Sequence, residues 1–495
     1  MFAGVRDGDL ESLAWVVVFI LLLGFGVNYI LQKLGTSKYS ELVLDRKLPP
    51  SYSVGLPIVG NIISFLRDPL ALVWDAYRKC GPCFTVQLAH KRLTFFIGPQ
   101  AHVSFFRGND DELSQTEPYS FSVPVFGRGV LYDAPIHIRL QQLRVLSVRL
   151  RVDILNSYVP MMISEARAFF KRWGESGEVD LMKELGGLII LTASRCLMGR
   201  EVRENMFEEV SSLIHDLDQG MQPISVLAPH LPTSQHRKRD EARRELSRLF
   251  EPIIRKRRNG ETHEDDMLQW LIDAKYRDGT SFSDEDIVGL LVAAIFGGQH
   301  TSVITSTWLG MHLLRSPSYL ARIIEEQKEV LKKNDDVLAY DALVQMDELH
   351  RAMKETLRMH PPLIFLIRKV LEPRRVLDGK YGVPEGDYVI VSPDVSGKLP
   401  DVYLNSEQWD PDRFAPPRQE DRKAPFSFLG FGAGRHGCMG EGFATLQVKT
   451  IWSVLLSLFD LEAVGDKVPE PDYGALVVGP KLNTCFVKYR RKAKE

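Results

Sequence analysis

A cysteine in a glycine-rich loop near the C-terminus is the residue with the clearest chemistry. The loop reads Phe431-Gly432-x-Gly434-x-x-x-Cys438-x-Gly440, and a helical apolar pattern follows it. Glycines let such a loop turn, and they let backbone N–H groups approach the sulfur and lower its basicity. A cysteine at the start of a helix also has its thiolate favoured by the helix dipole. Together these features predict a thiolate ligand for a haem iron.

Two other motifs built from glycine and cysteine lack the context that their usual function requires. Residues 432–437 spell the dinucleotide fingerprint G-x-G-x-x-G, but no alternating series of strands and helices precedes them to build the necessary sheet. Cys80-Gly81-Pro82-Cys83 spells a redox pair, yet a helical pattern precedes it and a strand-like run follows, the reverse of a thioredoxin-type site. We interpret it as a Gly-Pro turn between two ordinary thiols.

A polar segment interrupts a long apolar run in the middle of the chain. Residues 287–314 contain no Asp, Glu, Lys or Arg, and the run is long enough to span a membrane. Gly297-Gly298-Gln299-His300-Thr301-Ser302 places polar groups in its centre, which lipid would penalise. We therefore predict a central helix buried in a large domain, with a functional site at residues 297–302.

The rest of the chain predicts a single, mainly helical domain. The 495 residues are 44% hydrophobic and 25% charged, which is typical of globular proteins, and the net charge of -2 argues against a nucleic acid partner. Residues 154–358 are mostly helical by pattern. Strand-like runs flank them at Cys83–Ile97, Arg368–Val391 and Val477–Tyr489. Five cysteines form no disulfide framework, so a reducing compartment is expected.

The N-terminus is predicted to carry a single membrane anchor. Leu13 to Leu31 is uncharged and, at about 1.5 Å per residue, spans nearly the ~30 Å hydrocarbon core. Acidic residues predominate before it and basic residues after it, which places the remaining chain in the cytosol. A cleaved signal peptide is the alternative. The predicted organisation is a luminal tail and anchor over 1–33, a proline-rich hinge over 34–57 and a haem-thiolate catalytic domain over 58–495.

From the anchor to the C-terminus the chain resembles the cytochrome P-450 superfamily. The Cys438 loop is the most specific mark, and Glu355-Thr-Leu-Arg358 is similar to the E-x-x-R motif of that family. Four other pairs share this spelling, so only its position before the Cys438 loop selects it: Glu241/Arg244, Glu245/Arg248, Glu348/Arg351 and Glu372/Arg375. The resemblance implies a helical prism with a buried haem, a long central helix and small peripheral sheets. It also implies that Glu355 and Arg358 have a structural role together with Arg413.

Closer motifs are similar to the sterol 14α-demethylase family. They are residues 119–133, which begin Tyr119-Ser-Phe121, and residues 298–302, where His300 stands in place of the acid found in most other members of the superfamily. The resemblance implies removal of the 14α-methyl group in three successive oxidations, each using O₂ and electrons from NADPH, with release of formate. Relatives often carry a propionate-binding cation where this chain has Leu140 and Leu143, so the choice between Arg139 and Arg144 stays open.

The resemblance also assigns residues to roles. Thr301, His300 and Asp218 would deliver protons. Haem b would be held by Cys438 as the iron ligand, with Tyr119, Tyr132, Arg368, Phe431, Gly432, His436 and Gly440 around it. The sterol pocket would be formed by apolar side chains and one glycine: Phe121, Phe126, Ala293, Phe296, Gly297, Leu363, Ile367 and Leu476.

The implied partners are a sterol, the lipid bilayer and a membrane-bound NADPH cytochrome reductase. The implied location is the endoplasmic reticulum membrane, with one span and a cytosolic catalytic domain. Exposed basic residues are candidates for docking the reductase: Lys79, Lys91, Arg92, Lys423 and Arg435. Three alternatives remain open: a cytochrome P-450 that hydroxylates another steroid or lipid, a haem-thiolate isomerase or dehydratase, and a non-enzymatic sterol-binding protein.

Overall fold

The computed structural model describes residues 47–54, 61–88 and 91–493. The predicted anchor at Leu13–Leu31 lies outside the described residues, as do residues 34–46 and 55–57 of the predicted hinge. The described remainder of that hinge contains Ser51–Tyr52, which forms an edge strand beside Thr85 and Val86. An edge is where a proline-rich segment can join a sheet, because its missing N–H groups then face no partner strand.

Helices dominate the described chain, as the sequence predicts. The helices are α1 Ile62–Arg67, α2 Pro69–Cys80, α3 Pro99–Phe106, α4 Val123–Phe126, α5 Ile136–Val148, α6 Val152–Phe170, α7 Leu181–Ala193, α8 Arg200–Asn205, α9 Phe207–Gln219, α10 Pro223–Leu227, α11 Ser234–Arg258, α12 Met267–Asp273, α13 Asp284–Leu313, α14 Pro317–Lys333, α15 Tyr340–Gln345, α16 Asp347–Met359, α17 Pro393–Gly397 and α18 Glu441–Leu458. The strands are β1 Ser51–Tyr52, β2 Cys83–Leu88, β3 Lys91–Phe96, β4 Leu113–Ser114, β5 Ser176–Asp180, β6 Leu366–Val370, β7 Arg374–Val376, β8 Tyr381–Val383, β9 Tyr388–Val391, β10 Phe459–Ala463 and β11 Phe486–Arg491.

The first of two compact units comprises residues up to Ser114 together with Phe365–Ser396. Its sheet has the strand order β1-β2-β3-β9-β6-β4, and β7 and β8 form a separate hairpin. The antiparallel pair β2 and β3 stacks Phe84 on Phe95 with ring centroids 5.4 Å apart, and both rings are fully buried. Phenylalanine pairs of this kind are a main source of stability in a small sheet.

The turn at Cys80–Cys83 belongs to this first unit. Gly81 has φ of 84° and ends α2, while Cys83 begins β2. Both cysteines are free thiols, and burial raises the pKa of Cys83 to about 12. A thiol with so high a pKa is almost never the reactive thiolate, which agrees with the interpretation of this segment as a plain turn.

The second unit comprises Gln115–Ile364 and Gly397 to the C-terminus, and α13 is its central helix. Ser283 and Asp286 form a capping box at the start of α13, and the acidic first turn complements the helix dipole. Of the described helices, α13 is the one long and apolar enough to cross a membrane, but 61% of its most apolar window is buried inside the protein. Its tryptophan, Trp308, is fully buried. The prediction of a central core helix is confirmed.

Two strands of the second unit differ from the sequence prediction. The run Val477–Tyr489 forms a strand only from Phe486 onward, because Pro480 lacks an N–H group and Asn483 has φ of 57°. β11 pairs with β10 and with β5, a short strand inside the block predicted to be helical. Residues 426–431 form no strand, so the G-x-G-x-x-G spelling has no dinucleotide-binding unit around it.

A buried ion cluster stands beside the end of α16. The carboxylate of Glu355 accepts from Nε and Nη2 of Arg358 at 2.7 and 2.8 Å and from Nε of Arg413 at 2.9 Å. All three side chains are at most 1% exposed. Arg413 also bonds Glu420 at 2.9 Å, so two carboxylates balance the two guanidinium groups.

Candidate functional site

A cavity of about 530 Å³ lies in the second unit beside the polar centre of α13. Its volume falls within the roughly 300–1,000 Å³ range of small-molecule sites. The sequence-predicted residues that line it are Tyr119, Phe121, Phe126, Tyr132, Asp218, Ala293, Phe296, Gly297, His300, Thr301, Leu363 and Leu476. The structure thus brings together most of the predicted pocket and proton-delivery residues.

Some predicted residues lie elsewhere, and some lining residues were not predicted. Ile367 and Arg368 lie on β6 of the first unit and are not among the lining residues. The lining residues absent from the prediction of the pocket are Ser122, Leu131, Gln219, Met221, Gln222, Gly474, Ala475 and Val477. Five of these eight directly adjoin a predicted residue in the chain, which is the one signal in the sequence that could have found them; Met221, Gln222 and Gly474 do not.

The apolar wall of the cavity is built largely from phenylalanine rings. Phe126 at the end of α4 meets Phe296 of α13 edge to face, with centroids 6.4 Å apart. Phe296 in turn meets the ring of His300 at 5.9 Å. Edge-to-face contacts favour particular ring orientations and also bury apolar surface, so these rings give the cavity a wall of defined shape.

α13 borders the cavity at Gly297. A Cβ added to Gly297 would have no atom within 4 Å apart from its own helix, so this position borders open space. The hydroxyl of Thr301, one turn later, donates to the Gly297 carbonyl at 2.8 Å. That bond holds the Thr301 oxygen at the helix surface and leaves its lone pairs available to accept another hydrogen bond.

His300 lies against Asp218 of α9. Nε2 of His300 is 3.0 Å from Oδ1 of Asp218, and each side chain is 29% exposed. The N–H direction does not meet hydrogen-bond geometry, and Nε2 has no other hydrogen-bond partner among the described residues. A small ring rotation would convert this close contact into a hydrogen bond, an arrangement suited to passing a proton between solvent and the cavity.

Two tyrosines line another part of the cavity, and an arginine outside the lining lies near one of them. The rings of Tyr119 and Tyr132 stack at 4.9 Å, and burial raises the pKa of Tyr132. The Arg139 guanidinium lies 5.8 Å from the centroid of the Tyr132 ring and is 2% exposed, whereas Arg144 is exposed. Phenol and guanidinium donors are suited to carboxylates such as haem propionates. The sequence leaves open whether Arg139 or Arg144 would bind a haem propionate, and this geometry favours Arg139.

The Cys438 loop presents its sulfur immediately before α18. Gly432 and Gly434 both have positive φ, 66° and 65°, and the Cys438 N–H donates to the Phe431 carbonyl at 2.8 Å. The side chain is accessible, yet the dense surrounding chain raises the pKa of its thiol. The backbone N–H groups of Gly440 and Glu441 act in the opposite direction and lower that pKa.

The donor set around Cys438 fits a haem thiolate. Cys438 is a free cysteine, and nearby backbone N–H groups that lower a thiol pKa would also stabilise a thiolate and moderate its donation to a metal. A Cβ on Gly440 would stand 3.7 Å from Sγ, in van der Waals contact, so the glycine leaves that side of the sulfur uncovered. His436 is half-buried in the short turn Gly434–His436 within the same loop.

Comparison with known proteins places the chain in a family. The sequence model described as Cytochrome P450 matches residues 49–486. The sterol 14-demethylase of Arabidopsis thaliana is 47% identical, over 94% of this chain and 95% of its own length. The obtusifoliol 14-alpha demethylase of Sorghum bicolor is 48% identical, over 90% and 91%. The lanosterol 14-alpha demethylase of Bos taurus is 35% identical, over 99% and 96%.

A solved structure shows the same fold. The retinoic acid-bound cyanobacterial CYP120A1 superposes with a TM-score of 0.80, covering 90% of this chain and 100% of that chain at 24% identity. At that identity the likeness concerns the fold alone. The family model and the relatives establish that this chain belongs to the cytochrome P450 family and, within it, to the sterol 14-demethylases.

Proposed function

We propose that this chain is a sterol 14α-demethylase, an oxidoreductase that removes the 14α-methyl group of a sterol. Three successive oxidations, each using O₂ and two electrons from NADPH, would convert the methyl to alcohol, then aldehyde, then formate, leaving a Δ14 double bond. The observation that carries the proposal is the mostly apolar cavity with Thr301, His300 and Asp218 on one polar flank. The relatives named sterol and obtusifoliol 14-demethylase support it.

The cavity walls would bind and orient the sterol. A sterol is a rigid, mostly apolar polycycle, and Phe121, Phe126 and Phe296 offer it an aromatic surface that excludes water. The open space at Gly297 would admit the 14α-methyl group at the reacting position. Holding a rigid substrate in one orientation supplies much of the advantage of an enzyme, since a single carbon must react three times.

The haem would be held by residues at two places in the second unit. Cys438 would supply the thiolate ligand, and Tyr119, Tyr132 and Arg139 would donate to the propionates. When bound, haem supplies O₂ activation and oxidation of the methyl carbon, with the thiolate donating electron density. The roles of Arg368 and His436 toward the propionates stay predictions from the family resemblance.

Proton delivery is the task of the polar centre of α13. The Thr301 hydroxyl, whose one proton is donated to the Gly297 carbonyl in this structure, would rotate away from that carbonyl, donate the proton into the cavity and be reprotonated from His300. Asp218 would hold the imidazole of His300 in position and stabilise it while it carries the proton. Both residues are partly exposed, so protons can be replaced from solvent.

Electrons would come from a separate NADPH-dependent reductase at the endoplasmic reticulum membrane, to which residues 13–31 would anchor the chain. Two of the predicted docking cations already have partners on the protein. Arg92 bonds Asp387 at 3.1 Å, and Lys79 bonds Asp75 at 3.0 Å. Lys423 lies 3.8 Å from Glu420, a weaker contact that leaves its charge more available to a reductase.

Product analysis tests the function. The haem-loaded chain, with a microsomal NADPH cytochrome reductase, would be given obtusifoliol, lanosterol and a 14-desmethyl sterol in separate reactions. The expected result is a Δ14 sterol and one formate per molecule from the first two and no formate from the third. Hydroxylated products without formate would instead support a P450 acting on another steroid or lipid. Formation of product without NADPH would support an isomerase or dehydratase.

A further inference from the structure

One wall of the cavity is held from behind by a buried arginine on a helix that contributes no lining residue. Arg243 of α11 is 7% exposed, and its Nη2 donates to the Phe126 carbonyl at 3.3 Å. The same nitrogen donates to the carboxylate of Glu285 at 3.0 Å. Nη1 donates to the Ser247 hydroxyl at 2.6 Å. The guanidinium therefore links α11, the first turn of α13 and the last residue of α4.

The backbone around Phe126 is shaped to receive this contact. Gly127 has φ of 105°, and a Cβ there would stand 2.8 Å from Nη2 of Arg243. On the opposite side, a Cβ on Gly289 of α13 would stand 2.2 Å from the Phe126 oxygen. The two glycines leave room for the carbonyl and for the guanidinium that holds it. A side chain at Gly289 would displace the Phe126 carbonyl, and one at Gly127 would push the Arg243 guanidinium away from it.

We infer that Arg243 is a positioning residue for substrate: by holding the Phe126 carbonyl it sets the angle at which the Phe126 ring meets Phe296 in the cavity wall. This inference rests on the proposed function, since the ligand whose fit is at stake is the sterol. The physical reason is the geometry of α4, which ends at Phe126. So short a helix has little rigidity of its own. A charge-assisted bond to its last carbonyl therefore decides where the ring lies.

A double-mutant cycle between Arg243 and Phe126 separates this role from a merely structural one. The haem-loaded enzyme would be titrated with obtusifoliol, and the sterol-induced spectral shift would give the Kd. Loss of the charged bond in Arg243→Gln is expected to raise the Kd about 10-fold when Phe126 is present. In a Phe126→Ala background, the same change is expected to alter the Kd less than about 2-fold, because no ring remains to be positioned. Arg243→Lys keeps the charge and one donor and is expected to recover part of the affinity.

Arg258 supplies the matched control. It also joins α11 to the first turn of α13, through Asp284 at 2.5 Å and the Phe282 carbonyl at 2.7 Å, but it does not touch Phe126. Arg258→Gln is expected to leave the Kd unchanged. If Arg243→Gln yields no haem protein, Glu285→Gln takes its place in the cycle, since Glu285 is 67% exposed and tolerates substitution while anchoring the same guanidinium.

Two outcomes would overturn the inference. One is a lowered unfolding temperature for Arg243→Gln with an unchanged Kd, which would make Arg243 a purely structural link. The other is an equal loss of affinity with and without the Phe126 ring. A wild type that shows no shift with any sterol would contradict the proposed function instead. In that case the Kd of ketoconazole, an imidazole with a bulky apolar tail, is measured for the same four proteins of the cycle. The same two outcomes then decide the role of Arg243.

Discussion

Nε2 of His300 on α13 lies 3.0 Å from Oδ1 of Asp218 on α9, at a polar flank of a mostly apolar cavity. The two helices are far apart in the chain, and the imidazole needs only a small rotation to bond the carboxylate. The pair offers one route by which solvent protons can reach the Thr301 hydroxyl without opening the sterol pocket to bulk water.

Removing the charge of Asp218 should slow turnover without weakening sterol binding. Asp218→Asn keeps the shape of the side chain but cannot stabilise a protonated His300, so we expect turnover to fall by about 10–100-fold. The Kd from the sterol-induced spectral shift should change less than about 2-fold. Glu209→Gln, an exposed acid on the same helix, is the control. Equal losses of binding and turnover would indicate that Asp218 has a structural role.

Replacing Cys438 should remove the haem-thiolate signature. Cys438→Ser is expected to abolish the thiolate-type spectrum of the reduced carbon monoxide complex, because serine supplies no thiolate donor. Cys80→Ser and Cys83→Ser should leave the spectrum intact, since burial raises the pKa of Cys83 to about 12 and keeps it a protonated thiol. Loss of haem in the Cys80/Cys83 double variant would show that this turn has a function that the structure does not suggest.

The Glu355 cluster should be a large contributor to stability. Glu355→Gln leaves the buried guanidinium groups of Arg358 and Arg413 without that carboxylate, which should cost about 3–5 kcal/mol of the free energy of unfolding. Glu245→Gln is the matched control, because Glu245 and Arg248 share the E-x-x-R spelling on an exposed face. Urea unfolding followed by circular dichroism measures both. Similar midpoints for the two variants would contradict the role of the cluster.

A buried histidine pair should make the protein sensitive to acid. Nε2 of His312 lies 2.9 Å from Nε2 of His360, and burial, with the charges of Arg315 and Arg358, lowers the pKa of His312 to about 3. The unfolded chain gains a proton on this residue below about pH 6.5, and the folded chain does not until about pH 3. Stability from this group is therefore complete above about pH 6.5 and lost at about 1.4 kcal/mol per pH unit below it.

His312→Gln should remove this contribution of about 1.4 kcal/mol per pH unit, which corresponds to the binding of one proton, from the pH dependence of the free energy of unfolding. Urea unfolding midpoints between pH 7 and pH 5 measure it. The amide of glutamine can still bond His360, so the comparison isolates titration from packing. An unaltered slope in His312→Gln would mean that His312 binds a proton equally well in the folded and the unfolded chain, so that its pKa is not lowered by burial.

Phe121 should favour sterols with a single C4 methyl group. Its ring lines the cavity 6.2 Å from the ring of Tyr119, and the small neighbour Ser122 already donates its hydroxyl to the Tyr119 carbonyl at 2.7 Å. Forcing a second methyl beside the phenyl ring should cost about 1–3 kcal/mol, or ~10–200-fold in relative kcat/KM. Competition between obtusifoliol and lanosterol measures the ratio of their kcat/KM values. Phe121→Leu is expected to bring that ratio closer to one. A wild type that already prefers lanosterol would exclude Phe121 as the selector.

Features that depend on a few neighbouring residues could be predicted from the sequence. Gly432 and Gly434 adopt positive φ because they lack a Cβ, so the spelling of the Cys438 loop determines its shape. The polar centre of α13 is likewise local, since an uncharged run interrupted at 297–302 predicts a buried helix with a site. The apolar pattern over Val477–Tyr489 predicts too long a strand, because Pro480 and Asn483 interrupt it. These two residues are a local signal that a prediction from the apolar pattern alone does not take into account.

Features that depend on how helices cross were decided only by the tertiary structure. Five pairs share the E-x-x-R spelling, but burial beside Arg413 distinguishes Glu355 and Arg358 from an exposed pair such as Glu245 and Arg248. No spacing in the chain places Arg243 at the Phe126 carbonyl or selects Arg139 for the Tyr132 ring. Helix crossing is set by side-chain packing summed over whole interfaces, so distances between side chains far apart in sequence follow from the folded core and not from any local pattern.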